Sequence, residues 1–310
     1  MHVTLFHNPK AGDADTSAEQ LRSILKDAGY QVRYQSTKKD WRSALDDPGD
    51  MAIVAGGDGT VAKVAEAFAG SGVNVAVLPF GTANNIGKAL GVFGDVRSIV
   101  EGWHAAPVIE MDVGVVSGPF GERRFLEAVG GGVFAELVGR GHAELGDSTV
   151  MVGRETDRAL QLCRRILEEA EERPWQVALD DYDMSGDYLA VEAMNIGFAG
   201  PNIPLATDAN LSDGELDLVL IRGEDRERLL EYVISRVENG SALMPSLDVR
   251  RGAHLRITPP AGWPIRIDDE LIDLVEAASP SDDRRSSVVD VLIRPRAIRM
   301  LAASPGPRSA

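Results

Sequence analysis

The chain has 310 residues, of which 44% are hydrophobic and 26% charged, with a mean hydropathy of −0.10; this balance supports a large folded core and excludes a disordered polypeptide. A formal net charge of −16 repels nucleic acid and anionic bilayers at long range, which argues against DNA and RNA binding as functions. No apolar run approaches the roughly 18 residues needed to span a bilayer, and the length predicts about two domains.

The first predicted strand begins at Val3, which leaves no space before it for a charged leader, and a cytoplasmic location is the expectation. It ends in His7-Asn8-Pro9-Lys10-Ala11-Gly12, and Leu21, Ile24 and Leu25 then mark one face of a helix. A second strand is expected over Tyr30 to Thr37, a short helix over Lys38 to Leu45, a third strand over Met51 to Ala55 and a fourth over Val73 to Leu78. Strands alternating with helices at this spacing predict a parallel sheet covered on both faces, with ligands beyond the carboxyl ends of its strands.

Met51 to Ala55 runs into Gly56-Gly57-Asp58-Gly59-Thr60 and then into a helical pattern in which Val61, Val64, Ala65 and Phe68 share a face. A glycine turn that delivers backbone N–H groups to a helix start is a cradle for phosphate. After the fourth strand, Leu78-Pro79-Phe80-Gly81-Thr82-Ala83-Asn84-Asn85 leads into a second helix, for which Thr82 is the candidate cap. The turn lacks the GxxxxGK[ST] of a Walker A loop. Gly57-x-Gly59-x-x-Ala62 fits the dinucleotide fingerprint, but no ribose-binding acid follows about 20 residues on. Asp58 would repel a polyphosphate unless a cation lay between them, which implies Mg²⁺, held directly or through water.

Beyond Val108 to Val116 the alternation stops. A long helix is expected over Val150 to Glu172 with Cys163 as a small buried residue, and another over Arg226 to Asn239. Strands are expected at Trp175 to Leu179, Tyr188 to Ile196, Glu215 to Ile221, His254 to Thr258, Ile265 to Ile267 and Val288 to Ile293, which suggests an antiparallel sandwich. Ala277 to Ser287 reads as a polar loop and Ser304 to Ala310 as a frayed tail. Asn210-Leu211-Ser212-Asp213-Gly214-Glu215-Leu216-Asp217 has the oxygen-rich character that suits a hard cation, and Asp268-Asp269-Glu270 could supply a general base.

Taken together, Asn8-Pro9, Gly56 to Thr60, Leu78 to Asn85, Asp112-Val113-Gly114 and Asp213 to Asp217 stand in an order that resembles the diacylglycerol kinase catalytic family, which includes bacterial lipid kinases and sphingosine and ceramide kinases. The Gly56 to Thr60 pentapeptide is shared with NAD kinases, whereas Leu78 to Asn85 is similar to the lipid kinase branch. The resemblance implies an N-terminal α/β nucleotide domain with a parallel sheet over residues 1–120, to which residues 294–310 return, and a C-terminal β-rich, sandwich-like domain over residues 121–293, with ATP bound between them.

By matching position, the resemblance implies that Asn8, Thr37, Gly56, Gly57, Asp58, Gly59, Thr60 and Thr82 touch ATP, with Asp58 near Mg²⁺. It implies that Asp213, assisted by the backbone carbonyls of Asn210 and Glu215, holds a structural Mg²⁺, and that Glu270 deprotonates a lipid hydroxyl. The implied function is an ATP-dependent lipid kinase that docks transiently on a membrane surface and acts on diacylglycerol or a related lipid, with a homodimer allowed. A kinase for a soluble acceptor such as NAD, and a nucleotide-binding regulator weakened in catalysis, stay open as alternatives. Two departures bear on substrate choice: Asp269 stands where the family has glycine, at a position expected to need a positive φ, and Thr207 stands where proline is usual.

Overall fold

The computed structural model describes residues 1–12, 17–144, 152–277 and 287–303, and the expected tail and most of the expected 277–287 loop lie outside them. Two compact units divide the chain: Met1–Asp112 with the segment from Pro295 onward, and Val113–Arg294.

In the first unit, β1 (His2–His7) is followed by α1 (Ala18–Asp27), which Ser17 and Gln20 start with a reciprocal capping box. Then come β2 (Gln31–Ser36), β3 (Met51–Gly56), α2 (Asp58–Ala67), β4 (Asn74–Pro79), α3 (Asn85–Ala89) and α4 (Val96–Gly102). The strands pair in parallel in the order β4, β3, β1, β2. Val3, Leu5 and Ile53 on one face are covered by Leu21 and Leu25 of α1 and Val100 of α4. On the other face Phe6 meets Phe68 and Trp41 edge-on, and Val61, Val64, Ala65 and Phe68 are all buried. Lys38 to Leu45 forms only a single 3₁₀ turn at Arg42–Ala44, in place of the expected short helix. Gln35 donates to the carbonyls of Ser36 and Asp40, which fixes this segment as a local turn.

The chain continues through β5 (Val108–Gly118), β6 (Gly121–Phe125), β7 (Ala128–Gly132), α5 (Val133–Glu144) and α6 (Val152–Glu169). It then forms β8 (Arg173–Leu179), β9 (Tyr182–Asp183), β10 (Gly186–Tyr188), β11 (Ala190–Met194), β12 (Leu216–Ile221) and α7 (Arg226–Asn239). The last elements are β13 (Asp248–Gly252), β14 (His254–Thr258), β15 (Ile265–Ile267), β16 (Glu270–Ile272) and β17 (Val289–Leu301).

In the second unit an antiparallel sheet runs in the order β13, β12, β11, β7, β15, β16. One of its faces, with Val129, Val191, Leu218 and Ile265, packs on Val177, Leu255 and Val291 of β8, β14 and β17, which makes the expected sandwich. Its other face is covered by α5, α6 and α7, so a helical layer adds to the sandwich; Cys163 of α6 is buried there, its thiol pushed up to about 12 by burial. Helix α5 was not expected, because Gly139 and Gly141 interrupt its pattern.

Past Arg294, β17 re-enters the first unit. Arg299 and Met300 pair in parallel with Asn74 and Val75 of β4, which extends the first sheet by one strand.

Candidate functional site

Four loops leave the carboxyl edge of the first sheet, and hydrogen bonds tie them to one another. Asn8, just after β1, donates its backbone N–H to the Ala55 carbonyl at 2.9 Å and its Nδ2 to Thr60 Oγ1 at 3.1 Å. Thr37, just after β2, donates both N–H and Oγ1 to the His7 carbonyl. Gly56 closes β3, and Gly57 is the N-cap of α2, whose positive dipole end therefore faces this edge. A Cβ at Gly56 would lie 2.8 Å from Thr60 Cβ, and one at Gly81 would lie 2.6 Å from Gly57 Cα. The two glycine loops are in backbone contact, and any side chain there would force them apart.

Asp58 is the residue whose reading changes most. Its Oδ1 accepts the Ile86 N–H at 3.0 Å, two residues into the segment that starts with Asn84, the N-cap of α3. A carboxylate from the first loop thus does for α3 what an N-cap side chain normally does. Thr82 is not the cap expected from the sequence, because Asn84 takes that position. Asn84 has φ 54°, and it turns its side chain back to bond both N–H and C=O of Gly81 at 2.6 Å, so it closes the loop rather than the helix. The edge thus gathers Asn8, Thr37, Gly56 to Thr60 and Thr82. Beside it His7 is buried, with Nδ1 3.2 Å from the Tyr34 hydroxyl and no hydrogen-bond partner at Nε2. Burial lowers the His7 pKa and keeps the ring neutral.

The remaining candidates lie in the second unit, in two places. In the first, Asn210 Oδ1 accepts the Ser212 N–H and Asp213 Oδ1 accepts the Glu215 N–H, each at 3.1 Å, and Gly214 takes φ 78°. Asp217 behind them is buried, which raises its pKa; Arg251 opposes the rise at 3.0 Å, and Asp213 and Glu215 add to it. Arg251 also donates to the Asp208 carbonyl, beside the Thr207 departure. Among the described residues no three His, Cys, Asp or Glu side chains group to hold a metal ion. The oxygen donors at 210–215 nonetheless suit Mg²⁺, which keeps several waters and needs few carboxylates, and the crowded acids favour a cation.

The second place is the hairpin between β15 and β16. Asp268 takes φ 51°, whereas Asp269 does not take a positive φ, so the residue in place of the family glycine is unstrained and the left-handed position falls one residue earlier. The Asp268 carboxylate accepts the N–H groups of Leu126, Glu127 and Ala128 at 3.1, 2.8 and 3.2 Å. Burial pushes its pKa up to about 6, against those three donors and Arg266. Glu270 opens β16 with an exposed side chain, and Arg123 donates to it at 2.7 Å. Sequence reasoning missed Arg123 and Arg251, since neither lies in a motif and the strand that carries Arg251, β13, was itself not expected.

Residues 2–116 match the diacylglycerol kinase catalytic domain, and residues 158–302 match the YegS C-terminal NAD kinase beta sandwich-like domain. A Pseudomonas aeruginosa protein named "Probable lipid kinase YegS-like" is 27% identical over 71% of this chain and 71% of its own length. A Staphylococcus carnosus "Diacylglycerol kinase" is 27% identical over 43% of this chain and 45% of its own. A crystal structure of a diacylglycerol kinase from Bacillus anthracis shares the fold, with a TM-score of 0.69 at 20% identity over 97% of this chain and 96% of that one.

Proposed function

Since the chain belongs to the diacylglycerol kinase catalytic-domain family, and so to a family of phosphotransferases, we propose that it transfers the γ-phosphate of ATP to the hydroxyl of a lipid, diacylglycerol or a close relative. The observation that carries this reading is the knitting of Asn8, Gly56 to Thr60 and Gly81 to Asn84 into one edge at the α2 N-terminus. Such an edge holds a polyphosphate by backbone N–H groups and leaves the γ-phosphate to in-line attack. Names of the relatives support the lipid as acceptor.

In this reading Asn8, Thr37, Gly56 to Thr60 and Thr82 hold ATP. Glu270 takes the hydroxyl proton as the new P–O bond forms and the bond to ADP breaks, and Arg123 orients its carboxylate until substrate arrives. Asp213 with the carbonyls of Asn210 and Glu215, and Asp58 at the phosphate edge, would hold Mg²⁺. When bound, the ion neutralises phosphate charge. No helix among the described residues is long and apolar enough to cross a membrane, and in this proposal the protein meets its lipid by transient surface docking.

The test is transfer of label from γ-³²P-ATP to diacylglycerol, a sphingoid base and NAD, each offered to the purified chain. Label on diacylglycerol or a related lipid is expected. Label on NAD alone would instead establish a soluble acceptor. Glu270→Gln should lower kcat by roughly 10²-fold or more with little change in ATP affinity, read from steady-state kinetics and nucleotide titration.

A further inference from the structure

The three consecutive glycines of β7 lie between β11 and β15, and one rung of the sheet reads Glu192, Gly130, Arg266. Side chains two strands apart are separated by about 9–10 Å of backbone and meet only where the middle strand carries nothing. Gly130 supplies that gap: a Cβ there would lie 2.6 Å from Glu192 Cδ. Glu192 and Arg266 fill the space with an ion pair in which Oε2 accepts from Nη2 at 2.7 Å and from Nε at 3.1 Å, and Oε1 accepts from Nε at 3.3 Å, with both residues buried. Burial pushes the Glu192 pKa upward, and the guanidinium hydrogen-bonded to the carboxylate opposes the rise. The guanidinium has one more arm, and Nη1 donates to the Asp268 carbonyl at 2.9 Å.

We propose that Glu192, acting through Arg266 across the gap at Gly130, is a positioning residue that fixes the left-handed Asp268 turn and so aims the carboxylate of Glu270. The proposal rests on the reading of Glu270 as the base. Stability alone does not account for the pair, because well-packed apolar residues on this rung would be as stable or more so. An apolar rung would leave the Asp268 carbonyl without its donor. The turn needs holding from this side, since Asp at a positive φ is disfavoured by about 1 kcal/mol and β16 is a three-residue edge strand. Two grips therefore meet at Asp268: the guanidinium on its carbonyl, and the amides of residues 126–128 on its carboxylate.

The test is Glu192→Gln in the full chain, which preserves shape and removes the charge that orients Arg266. Amide hydrogen exchange across residues 126–128 and 268–270 should accelerate by roughly tenfold or more in a protein that still melts cooperatively. In the same variant kcat should fall roughly tenfold or more while KM for ATP stays within about twofold, the pattern of a misaimed base rather than a lost nucleotide site. Unchanged exchange, or unchanged kcat, overturns the proposal. Arg266→Lys, which keeps the charge but loses the planar fork, gives the same two readouts where Glu192→Gln fails to fold. An absence of phosphotransfer by the parent protein to every acceptor would remove the kinase reading, and the exchange measurement would then decide the positioning role alone.

Discussion

The Asp58 carboxylate combines a backbone staple with a charge, and two substitutions separate them. Asn at this position keeps an oxygen for the Ile86 N–H, whereas Ala removes both functions. Asp58→Ala should lose about 1–3 kcal/mol in urea unfolding, because a half-buried donor at the start of α3 is left unsatisfied, and Asp58→Asn should stay within about 1 kcal/mol of the parent. If transfer by Asp58→Asn has the parent's magnesium dependence, Asp58 has no part in holding the ion. His7 gives a signed pH effect. Its folded pKa lies below 6.5, so the unfolded chain binds the proton first, and stability complete above about pH 6.5 falls as the pH drops. Asp268 acts in the opposite direction: its pKa rises from 3.8 to about 6 on folding, so it favours the fold in acid and that contribution is lost as pH climbs through this window. Urea midpoints of His7→Gln between pH 5 and 7 should lose the His7 slope and keep the opposite slope to which Asp268 contributes.

At the scale of elements, the two glycine loops behave as one unit because Gly57 and Gly81 touch through their backbones. Gly81→Ala should separate them, with a loss of about 1–3 kcal/mol in stability and a weaker affinity for ATP measured by calorimetry. The strand, glycine turn and helix at Met51 to Phe68 were legible in the sequence, since apolar runs and helical spacing are local signals. The cap of α3 was not. Thr82 fitted the cap on paper, and what moves the cap to Asn84 is the φ of Asn84 and a carboxylate 28 residues before Ile86. The same holds for β7, whose three glycines weaken any strand signal yet are what the fold requires: one makes room for Glu192, and the next for Trp175, whose ring would lie 2.6 Å from a Cβ at Gly131. The acidic clusters at 213 and 268 were visible as composition, but Arg251 and Arg123 come from distant strands that no spacing rule connects, and Arg266, only two residues from Asp268, is paired with Glu192 from 74 residues away.

For the whole molecule, the α/β and β-rich halves were readable from the change in rhythm near Val116, but the points where the chain passes from one unit to the other were not, because both fall within continuous strands, β5 and β17. Asp112 marks the outgoing point. It is fully buried, and its Oδ1 accepts the Arg296 N–H at 2.6 Å, where the returning chain takes φ 55°. Asp112→Ala should therefore lower stability by about 1–3 kcal/mol, read in the unfolding transition of the full chain, by leaving that donor without its carboxylate.

The return of β17 to β4 also has a consequence during synthesis. A ribosome delivers β1 to β4 before the second unit, but the strand that flanks β4 emerges only after that unit, so the first sheet waits with an open hydrogen-bonding edge while some 220 residues are added. Nascent chains stalled before Arg299 should accordingly expose β4 to chaperones or to proteases, and emergence of the end of β17, rather than completion of the nucleotide loops, sets the moment at which the first unit can close.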